Sequence, residues 1–465
     1  MPMPQNLILV CAALLGCEGF AVAQQSWPRG PLHNPVSLVD TVDRLAAFGP
    51  PGNGVVTPLD GPSNYTLGTN SLSLGTGWIE NYDWVEPIPA PTQLVPLLVV
   101  FHKFGTSQKD MIVNTDFAGE AGRRGWYAVC PLAANTKNFA APVSQIHMQA
   151  VIQDMLLRFP LIDPNRIYGV GFSMGAGGAT NYAARHLDPS KPMLAAMVSM
   201  SGGYALNDTY FNDPPTRPIL DFWYGNGTVG SADPFKLTNA SVIRFDPYTS
   251  VVVPNQDLAR NLSYLPLQVL RAYDEGVPYV PRQSDVLVSH LSTLGIVPGP
   301  TFDSQIVPFG LEVYDHRWQM LDETWACNWL GQFTLTIPTA GNTMADRDDV
   351  YFHFYVEQDV PNAFTPFNWT LDTPNNTLRL AATANLKRLT VDTLAAGFNP
   401  TLDIIVNVST ADGFGDEIVF TQVLQAPSNV TRDGSVTGSW SYNALAHELT
   451  LIETDGMIHD WAIVP

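Results

Sequence analysis

The pentapeptide Gly171-Phe172-Ser173-Met174-Gly175 limits the possible fold of this chain more than any other stretch of it. Before it, Arg166-Ile167-Tyr168-Gly169-Val170 reads as the end of a strand, and after it Ala176 to Leu187 reads as a helix. A G-x-S-x-G between strand and helix makes a sharp turn, since the glycines allow neighbouring backbone to approach and the serine is left standing clear. The backbone N–H of the next residue, Met174, can then face an anionic oxygen. Ser173 is the candidate nucleophile, and it calls for an α/β scaffold around it.

The surrounding pattern agrees. Leu94 to Phe101 is a near-continuous apolar run, as expected of a strand covered on both faces. A helix over Asp110 to Arg124 leads to a second such strand, Trp126 to Cys130. Met148, Val151, Ile152, Met155, Leu156 and Phe159 recur at helical spacing up to Pro160, and the strand into Ser173 follows. Strands at Leu194 to Ser199, Leu267 to Ala272 and Ile306 to Val313, with a helix over Arg282 to Leu294, continue the alternation. Crossovers of this length predict a doubly wound, mostly parallel sheet spanning residues 87–332, with catalytic groups at the C-terminal ends of its strands.

Residues 204–260 interrupt the alternation with Pro, Asn, Thr and aromatics. This insertion is expected either to lie over Ser173 as a substrate wall, with Phe222, Trp223 and Tyr224 beside Trp318, or to be a surface excursion packed on its own aromatics. Residues 24–86, rich in Pro, Gly, Asn and Ser, read as an irregular extension with a few edge strands. Past Gln332 the helices stop. Short runs at Val350 to Val356, Thr377 to Ala384, Leu402 to Val408, Glu417 to Val423 and His447 to Ile452, joined by turn residues, predict a β-sandwich over 336–465.

A formal net charge of −20 offers nucleic acid or an anionic membrane no basic face and favours neutral or apolar substrates. Residues 1–23 read as a secretory signal, with an apolar Leu7 to Leu15 too short to span a bilayer and an Ala21-Val22-Ala23 cleavage site. The alternative is a lipobox ending at Cys17, which would anchor the chain through lipid. Export leaves Cys130 and Cys327, either paired or as two buried thiols. There is no C-x-x-C and no metal-ligand spacing, so no cofactor is expected.

A nucleophilic serine needs a base, and the base an orienting acid, here in the chain order Ser, Asp or Glu, His. Of the nine histidines (His33, His102, His147, His186, His290, His316, His353, His447 and His459), only His316 follows a late strand of the α/β region and precedes a helix. His147 and His186 fall inside helices and read as structural, while His102 ends the first apolar strand and reads as a brace for the loop there. His459, beside Asp460 and Trp461, lies in the other domain. Asp274, directly after the strand Leu267 to Ala272, is the expected acid, with Glu275 as its rival. A second oxyanion donor is expected from the backbone of Lys103 or Phe104, on the loop after the first strand.

These motifs together resemble the alpha/beta hydrolases of the secreted esterase and polyhydroxybutyrate depolymerase type, which shade into prolyl oligopeptidase-like catalytic domains. The resemblance covers roughly Leu94 to Leu330. Its Asp-Pro-x-Arg-x-Tyr-x-x-Gly-x-Ser-x-Gly is intact from Asp163 to Gly175, and its His-x-Trp falls on His316-Arg317-Trp318. Its acid motif falls on Leu270 to Pro278 without the leading His-Gly, which carries the acid onto Asp274. Its His-Gly-x-Gly oxyanion loop corresponds to His102-Lys103-Phe104-Gly105, with lysine in place of the first glycine. The resemblance implies a serine ester hydrolase working through an acyl-enzyme on short acyl esters, polyesters, or feruloyl or acetyl groups on polysaccharide. A peptidase, or a secreted binding protein that has lost its chemistry, are the alternatives; the stretch before Leu94 is too short for the propeller that peptidases of this type carry.

Overall fold

The computed structural model describes residues 64–74, 78–307, 316–410, 416–453 and 457–465. The expected processing signal with Cys17, and the later part of the strand expected to reach Val313, lie outside the described residues.

The central sheet has eight strands: β1 (Tyr65–Ser73), β2 (Ile79–Pro87), β3 (Val95–Phe101), β4 (Tyr127–Pro131), β5 (Ile162–Phe172), β6 (Ala196–Met200), β7 (Leu267–Ala272) and β8 (Phe302–Val307). Their order is β1-β2-β4-β3-β5-β6-β7-β8; β2 is antiparallel to β1 and β4, and every other pairing is parallel. This is the α/β-hydrolase arrangement. The hairpin β1–β2, from the stretch expected to be an irregular extension with a few edge strands, therefore joins the central sheet, with β1 at its edge.

Alternation along β3 explains its unbroken apolar character. Leu97, Val99 and Phe101 enter a core with α3 (Pro142–Arg158), α4 (Met174–Arg185) and α8 (Val280–Thr293). Leu98 and Val100 enter a second core, on the opposite face, with α2 (Phe117–Arg124) and α9 (Glu323–Leu330). With both faces covered, no position in the strand can be polar without burying an unpaired group. The helix expected over Asp110 to Arg124 is broken into α1 (Asp110–Val113) and α2. Cys130 and Cys327 are two free, buried thiols of the second core, and burial pushes both up, Cys327 to about 12.

The insertion is helical: α5 (Leu206–Asn212), α6 (Arg217–Tyr224) and α7 (Pro234–Asn239) pack Leu206, Ile219, Leu220, Tyr224 and Leu237 around Met174 and Phe139. It therefore stands against the residue that follows Ser173.

The C-terminal region is two further sheets, one of six strands and one of seven, around a shared core that includes Phe354, Leu389, Phe420, Trp369, Val406 and Trp461. The single strand expected over Val350 to Val356 is instead a hairpin of Asp349–Tyr351 with Phe354–Gln358, because Phe352 turns the chain at φ 58°. Leu187 and Met193 of the α/β region belong to the sandwich core, and Met344 of the sandwich belongs to the α/β core. Phe352 N–H donates to Leu187 O at 2.7 Å, and the buried Arg185 Nε lies 2.8 Å from Asp346 Oδ2.

Candidate active site

Ser173 sits at φ 58° and ψ −123°, between the end of β5 and the start of α4. A non-glycine residue held there costs of the order of 1–3 kcal/mol. The packing around it enforces that conformation. Ser173 N–H donates to Met200 O at 2.9 Å, anchoring the turn to β6. A Cβ on Gly175 would lie 2.1 Å from Phe101 O and 2.6 Å from His102 O, and one on Gly171 would lie 2.5 Å from Gly175 O. Both glycines are required because backbone, not a movable side chain, fills the space.

His316 Nε2 is 2.7 Å from Ser173 Oγ, and its Nδ1 is 2.5 Å from Glu275 Oε1. The three side chains form one hydrogen-bonded row from three separate parts of the chain. The imidazole is buried, and its ring packs on Phe172 at 4.7 Å. The carboxylate in this row is that of Glu275, not of Asp274. After β7 ends at Ala272 the chain turns outward, leaving Tyr273 72% exposed and Asp274 exposed. Glu275 comes back under the turn with its side chain fully buried and reaches Nδ1.

Of the two expected loop donors, Lys103 is already committed. Its N–H donates to Asp110 Oδ2 at 2.9 Å. Among the described residues, the N–H of Phe104 has no such acceptor, and Met174 opens α4, where the first N–H groups lack an intrahelical partner. His102 is buried, with Nδ1 2.8 Å from Lys103 O and Nε2 2.9 Å from Leu132 O, the bracing position expected for it. Gly105 N–H donates to Thr136 O at 2.8 Å, which ties the loop after β3 to the loop after β4.

That second loop carries Ala133, Ala134, Phe139 and Ala140, all at positive φ. Glu80 on β2, fully buried, accepts from Ala133 N–H at 2.7 Å and Ala134 N–H at 2.8 Å, and lies 2.9 Å from His147 Nδ1. His147 is thus structural, as its place in a helix suggests, but it anchors the loop through a carboxylate that the sequence did not single out.

The four expected wall residues divide. Phe222 is exposed, and Trp223 is half-buried, with its Nε1 donating to Lys137 O at 2.7 Å. Tyr224 is buried, with its hydroxyl donating to Phe139 O at 2.5 Å, and Trp318 is fully buried against Phe172 and Phe117. Neither of these two can line a substrate wall. Trp78 joins the exposed group instead, 6.1 Å from the Trp223 ring. A cleft of about 930 Å³ lies between α8 and residues 250–260, bordered by Val252, Asp257, Arg260, Pro278 and His290, and Ser173, His316 and Glu275 are not among its lining residues. No cluster that could hold a metal ion occurs among the described residues, and none of their helices is long and apolar enough to cross a membrane.

No protein-family model matches the chain, and no curated protein matches it. Among solved structures it is similar to an S-formylglutathione hydrolase from Agrobacterium tumefaciens, at 12% identity and a TM-score of 0.41 over 59% of this chain and 97% of that one. It is similar to FphF, a fluorophosphonate-binding serine hydrolase of Staphylococcus aureus, at 13% identity and a TM-score of 0.40 over 58% and 99%. Carboxyl esterase 2 from Tuber melanosporum gives 16% identity and a TM-score of 0.38 over 64% and 95%.

Proposed function

We propose that this protein is a serine carboxylic ester hydrolase that uses Ser173, His316 and Glu275. The observation that carries the assignment is the unbroken row from Ser173 Oγ through the His316 ring to Glu275 Oε1. Ser173 Oγ attacks the ester carbonyl carbon while its proton passes to His316 Nε2, and the buried Glu275 carboxylate holds Nδ1–H and stabilises the imidazolium. The N–H groups of Met174 and Phe104 receive the tetrahedral oxyanion. Its collapse breaks the ester C–O bond as His316 returns the proton to the leaving alcohol, leaving an acyl-Ser173. Water, deprotonated by His316, then attacks the acyl carbon; the bond from that carbon to Ser173 Oγ breaks, His316 returns the proton to Oγ, and the acid leaves.

A net charge of −20, the exposed Trp78 and Phe222, and the half-buried Trp223 between them support an uncharged, partly apolar ester, with polyester as the narrower possibility. The processing signal read at residues 1–23 supports action outside the cytosol. The complete row speaks against a binding protein that has lost its chemistry. Purified protein should hydrolyse p-nitrophenyl butyrate, and Ser173→Ala should lose at least about 10³-fold in kcat. Undiminished turnover in that variant would refute the assignment. Parallel assays on polyhydroxybutyrate, methyl ferulate, acetylated xylan and a prolyl-peptide amide choose the substrate, and dominant amide cleavage would replace esterase by peptidase.

A further inference from the structure

The loop that offers Phe104 and the turn that offers His316 are far apart in the chain, yet one carboxylate holds both. Asp110, at the start of α1, is 1% exposed. Its Oδ2 accepts from Lys103 N–H at 2.9 Å and from Trp318 Nε1–H at 2.8 Å. Its Oδ1 accepts from Asn114 Nδ2–H at 2.5 Å. Lys103 immediately precedes Phe104. Trp318 follows His316 by two residues and packs at 5.4 Å on Phe172, whose ring in turn lies 4.7 Å from that of His316.

Resting on the Ser173–His316–Glu275 assignment, we propose that Asp110 is a positioning residue that locks the oxyanion loop and the histidine turn into one register. A buried carboxylate is costly unless its lone pairs are used, and here three N–H donors use them. Both the Lys103 N–H and the Trp318 indole N–H end on the one oxygen Oδ2, so an asparagine with its oxygen there keeps both, the Asn114 amide turning its own oxygen to the new N–H, whereas an alanine leaves both donors buried without an acceptor. Either the loop or the turn would have to move. Lys103 N–H, once expected to serve the oxyanion, acts instead by fixing the direction of its neighbour.

The experiment is a double-mutant cycle of Asp110→Ala and Trp318→Phe, with Asp110→Asn as the conservative variant, read as kcat and KM on p-nitrophenyl butyrate per serine titrated to end point with a fluorophosphonate. Asp110→Ala should lower kcat about 10- to 100-fold with KM within about 2-fold, because geometry for the transition state is lost while the binding surface stays. Asp110→Asn, which keeps an oxygen for both donors, should recover most of that loss. Trp318→Phe should cost a few-fold. Adding Asp110→Ala to Trp318→Phe should then cost only about 3-fold more, since the turn is already released from the carboxylate. A purely structural role would lower the titrated fraction and the melting temperature but leave kcat per titrated site unchanged. That result, or equal losses from Asp110→Ala in both backgrounds, would overturn the proposal. If Asp110→Ala does not fold, unchanged kcat in Trp318→Phe alone overturns it. Turnover retained in Ser173→Ala would refute the underlying assignment, whereas an inactive Ser173→Ala beside a fully active Asp110→Ala refutes only the positioning role.

Discussion

Replacing Glu275 by Gln removes one charge from a fully buried side chain at 2.5 Å from His316 Nδ1 and leaves its shape. The carboxylate does two things there. It accepts Nδ1–H and so leaves the Nε2 lone pair facing Ser173, and it offsets the positive charge that the ring acquires in the transition state. A glutamine that turns its amide N–H toward Nδ1 imposes the opposite tautomer, with Nε2–H facing Ser173 and no base. A glutamine that turns its oxygen inward keeps the tautomer but loses the charge. Two unit charges about 4 Å apart at an effective dielectric of about 20 interact by about 4 kcal/mol, close to a factor of 10³ in rate. The wrong tautomer in an otherwise intact triad is worth about 10⁴. Glu275→Gln should therefore lower kcat by about 10³ to 10⁴ with the fold retained, while Asp274→Asn, at an exposed position, should stay within about 3-fold. Steady-state hydrolysis of p-nitrophenyl butyrate, with circular dichroism as the folding control, measures both. A reversed ranking would make Asp274 the orienting acid, and equal losses would refute a single orienter.

The acid shows where sequence stops being sufficient. Ser173, His316 and the mostly parallel sheet follow from local pattern, because a glycine-flanked serine between strand and helix, and a histidine after a late strand, are positions that the chain itself marks. Asp274 and Glu275 are adjacent, and which of them points inward depends on how the turn after β7 leaves the sheet. The same holds for Tyr224 and Trp318: their aromatic character was legible, but burial against Phe139 and Phe172 was decided by elements distant in sequence. Edge strands were expected within residues 24–86, but the Pro- and Gly-rich surrounding hid that β2 lies inside the central sheet, paired with β4 as well as with β1. Asp110 and Glu80 gave no signal at all. Their roles exist only through backbone N–H groups that folding brings to them.

Gly175→Ala places a methyl 2.1 Å from Phe101 O, so the loop after β3 must shift; urea unfolding should show a loss of at least about 2 kcal/mol together with lost activity, and a stable, active variant would contradict the close approach. Burial alone would raise the Asp346 carboxyl, but Arg185 and Arg347 beside it outweigh that and hold it below its ordinary value. Its contribution to stability is then fully present above the unfolded value of about 3.9 and is lost as pH falls through the lower folded value. The same burial lowers the Arg185 guanidinium, so the pair stabilises by less than the carboxylate's shift alone implies. Arg185→Met should move the acid-unfolding midpoint to higher pH, and an unchanged midpoint would refute the pairing. Deleting residues 333–465 tests whether the sandwich is separable. The cut exposes Leu187 and Met193, both within 1% of full burial, and removes the Met344 backbone partners of Asn261 as well as the carboxylate opposite Arg185. A buried charge stripped of its partner costs about 3–5 kcal/mol, a large share of a total stability of about 5–15 kcal/mol, even before the apolar exposure is added. The truncated protein should therefore be insoluble or fail to label with fluorophosphonate. A soluble, fully labelled catalytic fragment that had lost only polymer hydrolysis would instead make the sandwich a substrate-targeting module.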